Sequence, residues 1–257
     1  MRRWTHKAAG AIAVICITLG LAGIIQYKWN GIYQRKQHEK LVEQMTDDAE
    51  EAKESDDLSG ESDDVQLEAA YVSPIDFTSL RAQNSDVVAW IQIPGTQINY
   101  PVVQGDDNDY YLHHDLNGND SASGTVFLDY ADRADFSSLH NLFYGHHMRD
   151  GSMFKDICRY KDQEYFDEHQ EIILYTPDRE IQLKALAALC TTSDAIRRKT
   201  EFTSEDEFAA YIQQMTENAS ASSPAEGTIT HLYSLVTCSY EFDDARTILY
   251  AYEAEEK

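Results

Sequence analysis

HLYSLVTCSYEFDDARTILYAY, residues 231–252, contains two β-prone runs separated by a polar segment. Leu232, Tyr233, Leu235 and Val236 form the first run, which ends at Thr237-Cys238. Ser239 to Ala245 is turn-like. Arg246 opens the second run, through Thr247, Ile248, Leu249 and Tyr250. The simplest geometry is two strands joined by a loop. It places a thiol at the end of one strand and a guanidinium at the start of the next, facing one pocket. A partly exposed thiol beside a permanent cation is the setting that favours a thiolate nucleophile. The competing reading of this stretch alone is a buried Cys packed as a small hydrophobe. A base decides between them, because a cysteine nucleophile needs one.

The candidate base lies upstream. Asn141 to Tyr144 is a short strand-like run followed by Gly145-His146-His147-Met148. Gly145 permits a sharp turn that would leave His146 projecting at a strand end. A Cys and a His distant in sequence and joined by the fold are the usual form of a cysteine nucleophile site. A surface-loop His and a metal-binding His pair are the alternatives. Adjacent residues on a strand face opposite ways, which works against both rings ligating one ion.

The chain has 257 residues, 42% of them hydrophobic, and a net charge of −24. That is enough for one domain with appendages and a real core. The acidic balance argues against nucleic acid, whose phosphates require a basic face. The cysteines at 16, 158, 190 and 238 have the spacing of neither a disulfide framework nor a zinc site. No carboxylate cluster has metal-ligand spacing, so no metal or other cofactor is expected.

Ala8 to Ile25 is an uncharged 18-residue run, preceded by Arg2, Arg3 and Lys7 and followed by Tyr27 and Trp29. It reads as an uncleaved signal anchor over residues 1–29 with a cytoplasmic N-terminus; a cleaved signal peptide is the alternative. Residues 30–46 can extend as a helix. Asp47 to Ala70 carries eleven acidic residues and one basic one. It reads as a solvated spacer, so that 30–70 is an extracytoplasmic linker and 71–257 the folded domain.

Within the domain, Ser73-Pro74 has the form of a helix start. Strand patterns cover Val87–Ile93, Ile98–Val103, Thr125–Asp129, Asn141–His146, Glu171–Tyr175 and Ile181–Cys190. Asp106–Leu112 is a polar turn or short helix containing Asn108. Ser152–Tyr160 has helical spacing, and Cys158 within it reads as packing. Ser204–Asn218 is the clearest helix: Ser204 and Glu207 suggest a capping box, and Phe208, Tyr211, Ile212 and Met215 form one apolar stripe. Many short strands with few helices suggest a mainly β fold, a β-barrel with helices.

Tyr-Gly-His-His-Met at 144–148, Leu-Val-Thr-Cys at 235–238 and Arg246 resemble a sortase, the Gram-positive cell-wall transpeptidase. SYEFDDAR at 239–246 and IPGTQINYPVVQ at 93–104 resemble class B in particular. The resemblance runs from about Ile75 to Tyr252. It implies a closed barrel of about eight strands, with an N-terminal helix and a helix in a late strand connection. It implies Cys238, His146 and Arg246 as catalytic residues, and Asn108, Tyr144, Thr192, Ile196 and Thr237 beside the substrate. The implied reaction cleaves a C-terminal sorting signal after Thr and joins the surface protein to a cell-wall peptide amine through a thioester. The implied partners are sorting-signal-bearing surface proteins, a lipid-linked peptidoglycan precursor, and the cell membrane through the N-terminal helix. A Cys-dependent peptidase using water and an inactive membrane-tethered binding module are the alternatives. Class B members often carry Ser two residues before the Cys; here that position is Val236.

Overall fold

The computed structural model describes residue 32 and residues 35–44, 71–193 and 195–254. Contacts divide the chain into residues 1–44 and 45–257. In the first unit, residues 35–44 are helical, within the 30–46 stretch read as helix. The Ala8–Ile25 run and the acidic 47–70 spacer lie outside the described residues. Among the described residues, no helix is long and apolar enough to cross a membrane.

The second unit is a mixed β-barrel. Its strands are β1 Val87–Gln92, β2 Asn99–Val103, β3 Val126–Leu128, β4 His140–Tyr144, β5 Glu171–Tyr175, β6 Glu180–Thr192, β7 Ala221–Ser222, β8 Ile229–Cys238 and β9 Ala245–Ala254. The order is β5-β1-β2-β3-β4-β8-β9-β6-β7, and β5 also pairs with β6. That pairing closes eight strands into a barrel, with β7 as an extra strand on β6. Closure leaves the eight strands without a free edge among themselves. The β2–β3 and β4–β8 pairs are parallel; the others are antiparallel.

Parts of β6, β8 and β9 are apolar on both faces because each face has its own core. Phe143, Leu183, Tyr233, Leu235 and Leu249 point into one cluster, capped by Phe154, Ile157 and Tyr160 of the 3-10 helix Phe154–Lys161 and by Phe166 of the helix Gln163–Glu168. Their alternate neighbours, Leu186, Leu189, Leu232, Ile248 and Tyr250, join a second cluster outside the barrel under Phe208, Tyr211 and Met215. These three lie on the helix Glu205–Thr216, in the connection between β6 and β8. Burial on both faces from Ala185 to Leu189 explains the Ala- and Leu-rich part of β6, whereas Gln182 and Lys184 before it are exposed.

Two helix caps differ from the sequence reading. The first helix starts at Phe77, not at Ser73-Pro74, because the Asp76 carboxylate accepts from Ser79 N at 3.0 Å. Ser204 caps its helix by accepting from Glu207 N at 3.1 Å, but the Glu207 carboxylate reaches past Ser204 to Thr203 N. The capping box is therefore half formed. The 163–168 helix and β7 are too short to register as periodic patterns.

Candidate active site

Cys238 is the last residue of β8 and lies directly opposite Arg246 on β9. The intervening loop closes with Ser239 N donating to Ala245 O at 2.9 Å and Ala245 N to Phe242 O at 3.2 Å. It ends on Asp244, whose φ of 59° is a conformation that Asp tolerates better than most side chains. Alternation along β8 puts Cys238 on the face of Val236, which packs against the outer cluster, and puts Thr237 on the inner face. Arg246 likewise shares the outer face with Ile248. Its Nη2 lies 3.0 Å from Asp244 Oδ1, and its Nη1 donates to Ala245 O at 3.1 Å.

β4 runs parallel to β8 with Tyr144 opposite Val236, and Gly145 N extends the ladder to Val236 O at 3.2 Å. The segment after β4 therefore emerges at the same barrel end as Cys238. Gly145 is required there by a close approach and not by a left-handed turn. A Cβ on it would meet the Phe154 ring at 2.7 Å, and its φ is not positive. His146 O then accepts from Phe154 N at 2.9 Å. The His146 ring is fixed by its Nε2, 2.8 Å from the Leu112 carbonyl. A carbonyl only accepts, so Nε2 carries the proton and Nδ1 is the basic nitrogen of the neutral ring.

His147 belongs to a different neighbourhood. Its Nδ1 donates to the Cys238 backbone carbonyl at 3.0 Å and lies 3.4 Å from Cys158 Sγ. Its ring meets that of Tyr240 edge-on at 5.1 Å. Cys158 Sγ is also 3.5 Å from Thr247 Oγ1, on the inner face. Burial lowers the pKa of the His147 ring and raises that of the Cys158 thiol, both towards their uncharged forms.

Of the proposed substrate neighbours, Asn108 and Tyr144 meet on Asp129. The Asn108 amide and the Tyr144 hydroxyl each donate to Asp129 Oδ2 at 2.9 Å. Thr192 ends β6 opposite Ala245 and is exposed. Ile196 lies in the 3-10 turn Ala195–Arg198 of the same connection. Thr237 stands apart from these: it is buried, and its hydroxyl donates to Gly145 O at 2.8 Å. Its side chain ties β8 to the chain just before His146 and is not on the thiol's face. Among the described residues, no group of three or more His, Cys, Asp or Glu side chains has the geometry to hold a metal ion.

Asp129 and the Leu112 carbonyl went unmarked in the sequence reading. A backbone carbonyl has no residue signature, and a buried carboxylate reveals itself only through the partners that the fold brings to it. Asp132, three residues after Asp129, is buried, with one oxygen accepting from Leu142 N at 2.7 Å and the other without a partner. Burial, aided by the Asp129 charge, raises its carboxyl from 3.8 to about 7. A raised carboxyl pKa means that the folded state holds the proton more tightly than the unfolded state. Its contribution to stability is therefore full below about 4 and is lost as pH rises towards 7. The Asp132→Asn variant stays neutral throughout. Its melting temperature should gain on the parent by roughly 5 °C between pH 5 and pH 8. A constant difference across that range would place the titration elsewhere.

No family model matches the chain. Sortase B of Listeria monocytogenes serovar 1/2a (strain ATCC BAA-679 / EGD-e) is 32% identical to it over 165 residues, 64% of this chain and 67% of that protein. The chain belongs to the class B sortase family. Sortase B of Staphylococcus aureus (strain NCTC 8325 / PS 47) is 27% identical over 169 residues, 65% and 69% of the two chains. The crystal structure of sortase B from B. anthracis in complex with AAEK1 superposes with a TM-score of 0.65 at 29% identity, covering 74% of this chain and 89% of that one. The eight-stranded closed barrel is the sortase fold, and this sortase is a cysteine transpeptidase of the Gram-positive cell surface.

Proposed function

We propose that Cys238 is the nucleophile, His146 the general acid and base, and Arg246 the donor to the substrate carbonyl. The observation that carries this is the shared barrel end: the β8–β9 register sets Cys238 opposite Arg246, and the parallel β4–β8 pair brings His146 to the same end. His146 Nδ1 takes the Cys238 thiol proton, and the resulting thiolate attacks the carbonyl carbon of Thr in the sorting signal. The oxyanion that forms is met by the Arg246 guanidinium. His146 gives a proton to the departing amine, leaving a thioester on Cys238. A cell-wall peptide amine then attacks the thioester, His146 takes its proton, and the thiolate departs as the new amide forms. Asn108, Tyr144, Thr192 and Ile196 lie along the peptide groove. Thr237 positions the two strands that present the Cys and the His. Val236 offers no hydroxyl where class B members often have Ser, so the groove has one hydrogen bond fewer there. The substrates are surface proteins carrying the signal, and the amine belongs to a lipid-linked peptidoglycan precursor. Residues 1–29 anchor the enzyme in the membrane, with residues 30–70 as a spacer outside.

One preparation tests both parts. The full-length chain is made in a Gram-positive host, fractionated, and incubated in detergent with five-residue peptides carrying Thr at the fourth position. Mass spectrometry should find the peptide acyl group on Cys238, on a chain that sediments with membranes and has not been shortened. An acyl group on another residue, or none, overturns the chemistry. A soluble, shortened chain overturns the anchor. Adding an amine should convert the acyl-enzyme to a new amide, whereas hydrolysis at an unchanged rate would make water the acceptor.

A further inference from the structure

The Asp129 carboxylate, 1% exposed, accepts from more groups than a strand-end carboxylate needs. Arg198 Nε donates to Oδ2 at 2.8 Å and Nη2 to Oδ1 at 2.9 Å, forming a fork. Ala131 N adds a bond to Oδ1 at 3.0 Å, and Asn108 and Tyr144 bond to Oδ2. Arg198 itself is 46% exposed, so a buried carboxylate is joined to a cation that reaches in from the surface. The two come from distant parts of the barrel. Asp129 follows β3. Arg198 sits on the connection that leaves β6 at Thr192, and in the strand order β9, β8 and β4 lie between β6 and β3. Those three strands carry Arg246, Cys238 and the approach to His146. The connection is tied down at successive residues: Arg197 donates to the Tyr250 hydroxyl at 2.8 Å, and the Lys199 carbonyl lies 2.9 Å from His140 Nδ1. Among these ties, Arg198 alone reaches the carboxylate that also orients Asn108 and Tyr144.

We propose that Asp129 and Arg198 form a latch that holds the β6–helix connection at a fixed distance from the Asn108–Tyr144 wall. They are positioning residues for the peptide, since neither needs to touch it. A fork of two parallel N–H···O bonds fixes orientation as well as distance, which a single contact does not. A groove held open to one width spares the peptide the cost of ordering it on binding. The inference rests on reading the Cys238 face as the peptide site.

The test measures KM and kcat for peptide cleavage by the full-length chain, with the five-residue peptides that acylate Cys238 in the parent. Cys238 alkylation by iodoacetamide serves as a readout that ignores the groove. Arg198→Gln changes an exposed side chain and leaves Asp129 three donors. It should raise KM about tenfold while kcat and the alkylation rate stay unchanged. Arg198→Lys, with the charge but not the fork, should fall between the two. Asp129→Asn should match Arg198→Gln where it folds. A KM for Arg198→Gln equal to the parent's overturns the latch, whatever happens to its melting temperature. A parent chain that no peptide acylates overturns the peptide site first and the latch with it.

Discussion

His146→Ala should lose acyl transfer by ~10²–10⁴-fold, while His147→Ala keeps most of it. The two rings are one residue apart but serve different faces of the barrel end. His146 lies just past the end of β4, and Cys238 ends β8, the strand paired with it. Its Nε2 proton is committed to the Leu112 carbonyl, which holds the ring in the tautomer with Nδ1 free of a proton, the nitrogen we propose as base. An oriented base of this kind is what a thiol nucleophile requires. His147 spends its Nδ1 on the Cys238 carbonyl and on contact with Cys158, and burial lowers its pKa, favouring the neutral ring. Removing it should cost the loop some rigidity and the reaction little. Single-turnover thioester formation on both variants, monitored by mass spectrometry, separates the roles. Loss in His147→Ala with retention in His146→Ala would reverse the assignment.

What could be read from the sequence follows from which interactions are local. The β8–β9 hairpin was legible because one β-prone run, one polar loop and a second run suffice to place Cys238 beside Arg246. The helix 205–216 was legible from Ser204 and its apolar stripe. The reason for Gly145 was not. Its partner, the Phe154 ring, is nine residues on and returns only because the 146–154 segment folds back on itself. The first helix of the domain was misplaced by three residues because Ser73-Pro74 and Asp76 are both capping signals: the Ser73 hydroxyl accepts from Ile75 N, ahead of the helix, and the Asp76 carboxylate accepts from Ser79 N, within it. Asp129 is the larger omission. Its partners at 108, 131, 144 and 198 are spread over ninety residues, so nothing near it in the chain marks it as buried. The closed barrel itself depends on the β5–β6 and parallel β4–β8 pairings. Strand patterns suggest strands, but not these partners.

Arg246→Lys should fold normally and lose ~100-fold or more in transpeptidation, while Asp243→Asn and Asp244→Asn lose little. The guanidinium already has a salt bridge, with Asp244 at 3.0 Å. That contact alone does not decide the residue's role. The side chains of Arg246 and Asp244 are 30% and 57% exposed, and a pair open to solvent contributes only about 0–1 kcal/mol. If the pair were the role, Lys would replace Arg at little cost, and Asp244→Asn would cost as much as changing Arg246. Arg246 lies opposite Cys238 across the strands, and the proposed mechanism gives its guanidinium a second task there. In that mechanism a planar, permanently charged donor meets the developing oxyanion, and losing such a donor typically costs ~10²–10³ in rate. The Lys ammonium keeps the charge but lacks the fork and the reach of two N–H groups along one plane. On this proposal Asp244 is a resting partner, from which a charge-assisted bond to the oxyanion would draw the guanidinium. Melting temperatures and peptide cleavage rates for the three variants separate these accounts. A near-parental rate for Arg246→Lys would leave the salt bridge as the residue's whole role. A loss in rate at an unchanged melting temperature assigns Arg246 to the chemistry.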